Sequence, residues 1–255
     1  MWVLSHYQSG MMSILEFIEE NAPISFARII DSWNRSIHIY CGEDSNYSNI
    51  FARSIYIGQP RAIWHETMHI LFLENLQNYL CLDEGIADYF ALIAEKEMRD
   101  IDTMQDYFRV IYNAISDTDT PQEFFTDEWI NLIREYYYNK AGKTESIADY
   151  DYALVYETIG VISLRYPELT ADLRQKFGLS VDGNYEVLRV PIRGITKETG
   201  DSLTYPESYL FVRYLFETYG MDKALNAYLD NSRFEVAFGI TLNDALLECI
   251  EVYAS

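Results

Sequence analysis

Two histidines with a glutamate between them carry the strongest chemical signal in the chain. Residues 65–69 have the form H-E-x-x-H, with His65 and His69 at the ends and Glu66 inside. On a helix this spacing places both imidazoles on one face, one turn apart, where two neutral nitrogens can reach one Zn²⁺. Glu66 then lies beside the metal rather than on it. A hydrolytic zinc site has three protein ligands and one position open for water, so the pattern requires a third ligand.

The candidate for this third ligand is Glu84. Fourteen residues separate it from His69, a distance over which a helix-loop-helix can fold back. Asp83 is an alternative donor, although its position just before a helical pattern is better explained by an N-cap. Asp88 lies one turn after Glu84 on the same face, where it can accept a hydrogen bond from a ligand imidazole and fix its tautomer. The two segments together favour a site for one Zn²⁺ per chain.

The chemistry expected of these side chains is zinc-dependent hydrolysis, with peptide bonds as the predicted target. Zinc lowers the pKa of bound water toward about 7, so a carboxylate is a sufficient base. Glu66 is placed to take a proton from that water and to pass it to a leaving amine. The predicted partner is therefore a peptide or protein substrate.

A family resemblance agrees with this interpretation. The chain resembles the gluzincin metallopeptidases, and especially the peptidase-MA-like group, in which H-E-x-x-H is followed by E-G-x-A-x-Y. Residues 84–89 read EGIADY and agree with that form at every fixed position. Segments at 205–208, 211–215, 217–220 and 238–241 resemble the group as well. The resemblance covers residues 50–98 and 203–250, and it implies zinc on His65, His69 and Glu84 with Glu66 as the base.

The resemblance also implies how a substrate is held. In the group, the edge strand of a small sheet binds extended substrate beside the metal helix, and residues 53–57 lie where that strand is expected. Ser54, Ile55 and Tyr56 are therefore the predicted substrate strand, which would pair with peptide through its backbone. A G-x-M-E-N segment, which grips a free N-terminus in the gluzincin aminopeptidases, is missing from the chain. Exopeptidase action thus has no support, and the sequence leaves endo- versus exo-action open.

Stabilisation of the developing oxyanion requires a further donor. No histidine follows His69, so the downstream histidine of thermolysin-like enzymes is missing. A tyrosine, as in the gluzincin aminopeptidases, is the available substitute. Tyr205 occupies the tyrosine position of the tail segment and is the predicted catalytic donor. Tyr209, one turn later, is the alternative.

The composition bears on which partners are compatible. The chain has 255 residues, of which 40 are acidic and 19 basic, giving a formal net charge of −21 at pH 7. Such a charge repels phosphate backbones and anionic lipids, so nucleic acid and membrane surfaces are not expected partners. No run of about 18 apolar residues occurs, so no membrane span is predicted.

Cysteine usage and the N-terminus bear on localisation. Cys41, Cys81 and Cys249 are odd in number and irregularly spaced, so they imply no disulfide framework. The first residues lack the basic segment and apolar run of a signal peptide. The sequence therefore predicts a cytoplasmic protein by default, with a fragment of a secreted protein as the alternative. It indicates no oligomeric state.

The elements that must position these residues form a predicted α+β fold. We expect a mostly helical, single gluzincin-like catalytic domain over residues 1–255, with a small mixed β-sheet lobe, a helical C-terminal lobe and the metal site in the cleft between them. Residues 1–60 supply a helix and the sheet, 61–98 the metal-binding helix pair, and 99–255 the helical lobe. Hydrophobic periodicity predicts further helices near 102–115, 122–139, 146–165, 167–177, 206–219, 222–230 and 242–253, and a strand near 185–190.

A different class of function remains as an alternative. The same fold could be a non-catalytic, metal-stabilised module for peptide binding or protein interaction. Glu66 argues against this alternative, because a structural metal site needs no base and usually closes its fourth position with protein.

Overall fold

The computed structural model describes most of both terminal regions of the chain. The described residues are 2–42, 46–58, 62–72, 79–95, 152–171, 178–180, 202–230 and 232–254, with positions 128, 131–133, 135, 136 and 139. Over these residues the protein is mostly helical with one small three-stranded mixed sheet, which confirms the predicted α+β class. The predicted helix near 102–115 and strand near 185–190 lie outside the described residues.

Helices make up most of the described structure. Their bounds are α1 (Trp2–Asn21), α2 (Pro23–Trp33), α3 (Ala62–Phe72), α4 (Leu80–Glu95), α5 (Tyr152–Arg165), α6 (Tyr205–Tyr219), α7 (Met221–Leu229), α8 (Phe234–Phe238) and α9 (Leu242–Ala254), with a 3₁₀ helix at Pro167–Thr170. Among them, no helix is long and apolar enough to span a membrane. The strands are β1 (His38–Cys41), β2 (Tyr47–Asn49), β3 (Ser54–Ile57), β4 (Leu179–Ser180) and β5 (Ser202–Leu203).

The three-stranded sheet corrects one prediction. Its order is β1-β3-β2, with β1 parallel and β2 antiparallel to β3. Ser54, Ile55 and Tyr56 therefore lie in the central strand rather than at an edge, and their backbone groups pair with strands on both sides. The edge position was wrongly predicted because β2, which pairs with the second side of β3, was not expected as a strand. Three residues in a segment rich in Ser, Asn and Asp carry too little alternation to predict a strand.

The two faces of this sheet differ in character. Tyr40, Tyr56 and Tyr47 stand in register on one face, with ring centroids 4.9 Å and 4.3 Å apart in a continuous stack. Ile55 is fully buried on the opposite face, where Ser48 of β2 is its cross-strand partner. Both β2 and β3 contact α3. The sheet thus turns Ser48 toward the helix that carries the H-E-x-x-H residues.

Helix α6 lies at the centre of the helical part and packs against both α4 and α5. The Glu207 carboxylate fixes the start of this helix, because it accepts a hydrogen bond from the backbone N–H of Thr204 at 2.7 Å. Glycines on α4 and α5 allow α6 to approach these two helices closely. A Cβ on Gly85 of α4 would lie 2.4 Å from the carbonyl oxygen of Ser208, and one on Gly160 of α5 would lie 2.6 Å from the carbonyl oxygen of Pro206.

The close approach at Gly85 predicts an unusual response to alanine. In an open helix interior Gly→Ala stabilises by up to about 1 kcal/mol. Here the added methyl group would collide with the Ser208 carbonyl oxygen, which is fixed in the α6 backbone. We expect Gly85→Ala to lower the free energy of unfolding by about 1–3 kcal/mol, measured by urea denaturation of the metal-free protein.

A second substitution identifies the source of the strain. The Cβ would also lie 2.7 Å from the Cγ2 atom of Val212, a side chain that substitution can remove. Val212→Ala should not restore stability to Gly85→Ala, because the backbone contact with Ser208 remains. If the urea midpoint of Gly85→Ala equals or exceeds that of the unaltered protein, the close contact between α4 and α6 is contradicted.

Candidate metal centre

Helix α3 holds its polar residues rigidly because it is buried on almost every side. Of its eleven residues, nine are buried, among them Trp64 and Ile70, which have no exposed surface. The Trp64 indole donates a hydrogen bond to the carbonyl oxygen of Tyr7, at 3.3 Å, and packs against Gly10 of α1. A helix buried in this way cannot rotate to expose another face. The directions of the His65 and His69 side chains are therefore set by core packing.

Three predicted ligand atoms converge at this helix. The Nε2 atom of His65 lies 3.0 Å from Oε2 of Glu84, and Nε2 of His69 lies 3.2 Å from the same oxygen. The two Nε2 atoms are 3.0 Å apart. All three side chains are largely enclosed, the most exposed being His65 at 17%. Residues from two helices thus present two nitrogens and one oxygen to a common point.

These separations fit a small, tetrahedrally coordinated metal ion. Ligand atoms 2.0–2.1 Å from a tetrahedral Zn²⁺ are about 3.3 Å apart. Oε2 of Glu84 is buried, and the Nε2 atoms of His65 and His69 lie within 3.2 Å of it. Burying a carboxylate is costly unless positive charge lies beside it, and either protonated imidazoles or a cation at the common point supplies that charge. Among the residues described, the cluster contains these three donors.

Asp88 and Tyr156 lie behind this cluster. His65 donates a hydrogen bond from Nδ1 to Oδ1 of Asp88, at 2.7 Å, which leaves Nε2 directed toward Glu84. The hydroxyl of Tyr156, in α5, donates to the other oxygen of Asp88. The position of Asp88 one turn after Glu84 had predicted its hydrogen bond to a ligand imidazole. Nothing in the sequence distinguished Tyr156 from the other 21 of the chain's 22 tyrosines.

The electrostatics of the cluster favour positive charge. Burial alone would lower the pKa of His65, but the carboxylates of Asp88 and Glu84 raise it well above its ordinary value. The pKa of His69 is raised in the same way, as Glu84 outweighs desolvation. For Glu84, burial would raise the pKa, yet His69 and His65 hold it below its usual range. A site that holds a carboxylate ionised against desolvation and raises the pKa of two imidazoles is electrostatically suited to a divalent cation.

Glu66 lies next to the cluster but is not one of its converging donors. Its side chain is buried, and desolvation raises its pKa despite the opposing effect of His69 and His65. The Ser48 side chain of β2 donates a hydrogen bond to the Glu66 carboxylate. A carboxylate with a raised pKa is a better proton acceptor near neutral pH. Ser48 was not predicted as a neighbour of Glu66, because its strand was not predicted.

Asp83 has a different position from the one predicted. Helix α4 begins at Leu80, so Asp83 lies inside its first turn and is not the N-cap. The side chain is buried and accepts a hydrogen bond from the hydroxyl of Tyr228 in α7. Burial raises its pKa to about 7. Asp83 therefore joins α4 to a later helix and is not among the converging donors.

The two candidate tyrosines are in different environments. The ring of Tyr205, at the start of α6, is 6.3 Å from that of His65 between centroids. Tyr209 is buried instead, with its ring 5.8 Å from that of Tyr89, and burial raises its pKa to about 12. The structure therefore places Tyr205 beside the ligand cluster and Tyr209 in the core.

The chain matches no protein-family model, no curated protein and no solved structure. Interpretation of the site consequently depends on its own geometry and on the motif residues.

The converging donors predict metal binding that depends on the Glu84 carboxylate. Protein prepared without chelator should hold about one zinc per chain. Glu84→Gln keeps the side-chain size but removes the charge, and we expect zinc affinity to fall by at least about 100-fold, measured by competition with a chromogenic chelator. Glu248→Gln on α9 is the matched control and should bind zinc like the unaltered protein. Equal zinc affinity in Glu84→Gln would exclude this carboxylate as a ligand.

Proposed function

We propose that this protein is a zinc-dependent metallopeptidase of the gluzincin kind, with His65, His69 and Glu84 as the zinc ligands. The observation that carries the proposal is the convergence of their donor atoms within 3.0–3.2 Å of one another. Two features argue for catalysis rather than a structural metal site. The described cluster has three protein donors rather than four, and a buried glutamate lies beside it.

The chemical roles follow from the positions of the side chains. When bound, Zn²⁺ supplies a Lewis acid that polarises a carbonyl group and lowers the pKa of water. Glu66 accepts the proton of the attacking water and delivers it to the leaving amine. Its raised pKa suits both transfers, since the carboxylate must take a proton and release it again.

Tyr205 is the proposed donor to the oxyanion. Its support is the nearness of its ring to His65 and its place at the first residue of α6. The hydrogen bond from the Thr204 backbone N–H to the Glu207 carboxylate fixes the first turn of α6, so the Tyr205 backbone is held in place. A donor fixed in advance stabilises developing charge without reorganisation during the reaction.

The proposed substrate is an extended peptide bound at the edge of β2. Among the described strands β2 pairs with β3 alone, which makes it an edge strand. Contacts between β2 and α3, and hydrogen bonding of the Ser48 side chain that lowers the pKa of Glu66, support a position of this strand near the proposed base. A peptide added along β2 through backbone hydrogen bonds would pass the ligand cluster. In this proposal the substrate lies in a cleft between the sheet and the helical part of the protein.

Substitution of the proposed base separates catalysis from metal binding. Glu66→Gln should lower kcat/KM for peptide hydrolysis by about 10²–10⁴-fold, because the amide cannot accept the proton. Zinc affinity should stay unchanged, since Glu66 is not a ligand. Cleavage of a mixed peptide library, with and without chelator, measures the first effect and also yields the cleavage sites.

Glu235→Gln, which alters an exposed glutamate on α8, is the matched control and should retain full activity. Peptide cleavage by Glu66→Gln at the wild-type rate would refute the proposed mechanism. If the unaltered protein binds zinc but cleaves no member of the library, the peptidase proposal is wrong. A non-catalytic, metal-stabilised binding module would then be the better account.

A further inference from the structure

We propose that Tyr156 is a positioning residue of the metal site, acting through Asp88 on His65. The inference builds on the zinc site described above and adds a residue from a helix remote in sequence. Tyr156 belongs to α5, and the H-E-x-x-H residues to α3. Three side chains from three helices form the connection: the Tyr156 hydroxyl donates to Oδ2 of Asp88, and His65 donates to Oδ1.

The need for a second partner follows from the freedom of the aspartate side chain. Rotation of a carboxylate about χ2 meets only a low barrier, so one hydrogen bond alone leaves its plane poorly fixed. Asp88 has a fixed partner on each oxygen, the Tyr156 hydroxyl on one and the His65 imidazole on the other. With its plane set, Oδ1 stays aligned with Nδ1 of His65, and Nε2 is kept directed toward the metal position.

The Tyr156 hydroxyl is itself well anchored. The side chain is 4% exposed, and its ring meets that of Tyr209 edge-on, with centroids 5.6 Å apart. Gly160 lies one turn further along α5, where the helix approaches the backbone of α6 closely. The hydroxyl position is thus determined by packing of α5 on α6. Because Tyr156 is buried and its hydroxyl is directed at Asp88, it orients the ligand and is not a candidate for contact with substrate.

The test removes the hydroxyl and nothing else. Tyr156→Phe should weaken zinc binding by about 10–100-fold, the range typical of groups that orient metal ligands. Tyr214→Phe is the matched control. It also removes a hydroxyl that donates to a carboxylate, in this case that of Glu248 at 2.5 Å. This bond joins α6 to α9 and does not involve α4. Zinc affinity of Tyr214→Phe should equal that of the unaltered protein.

Two further measurements separate positioning from general destabilisation. In the zinc-loaded protein, the Nδ1 proton of His65 should exchange with water faster after Tyr156→Phe than after Tyr214→Phe, as followed by nitrogen-15 NMR. In a double-mutant cycle, Tyr156→Phe should add little to the loss of zinc affinity caused by Asp88→Asn, because both act through one hydrogen-bonded chain.

The outcomes distinguish this inference from the proposed function. If the unaltered protein binds no zinc, the metallopeptidase proposal fails. If it binds zinc and Tyr156→Phe binds zinc equally tightly, the positioning role alone is overturned. If Tyr156→Phe does not fold, the protonation of the His65 ring in the unaltered zinc-loaded protein provides the test instead. A His65 ring with its proton on Nδ1, protected from exchange, supports the role, and metal coordination through Nδ1 overturns it.

Discussion

The burial of the Glu84 carboxylate between two imidazoles is the interaction on which the described structure most depends. A carboxylate deprived of water is tolerated only where positive charge or hydrogen bonds replace the lost hydration. His65 and His69 supply this compensation from α3, across the contact between α3 and α4. The two helices therefore have to meet at one relative position, and the surrounding core holds them there.

Helices later in the chain donate hydrogen bonds to the carboxylates on either side of Glu84. Glu84 is flanked along α4 by Asp83 and Asp88, and each of these carboxylates accepts a tyrosine hydroxyl from a C-terminal helix. Acidic groups that would otherwise repel one another are thus tied to neutral donors of fixed position. Helix α6 packs beside them and brings Tyr205 near His65. The helical part of the fold consequently supports α4 in addition to its contact with α3.

How much the sequence predicted depends on how far apart the interacting residues lie in the chain. His65 and His69 could be placed from helical periodicity alone, and Asp88 from its spacing after Glu84. Hydrophobic periodicity likewise predicted the mostly helical α+β class, which the structure confirms. Tyr156 and Ser48 could not be predicted, since their contacts join elements remote in sequence. The place of β3 in the sheet was also beyond prediction, because strand order depends on a neighbour too short to recognise.

The fit of α6 against Gly85 has a consequence for how the site could change. Gly85 leaves room for the Ser208 carbonyl oxygen, so α4 and α6 approach more closely at this point than a side chain would allow. Sliding the helix by a residue would set a side chain against that backbone. A shift of α6 along α4 that would move Tyr205 relative to His65 is thereby opposed. In the proposed function, a change of substrate preference would more readily come from the sheet side, where β2 pairs with one neighbour among the described strands.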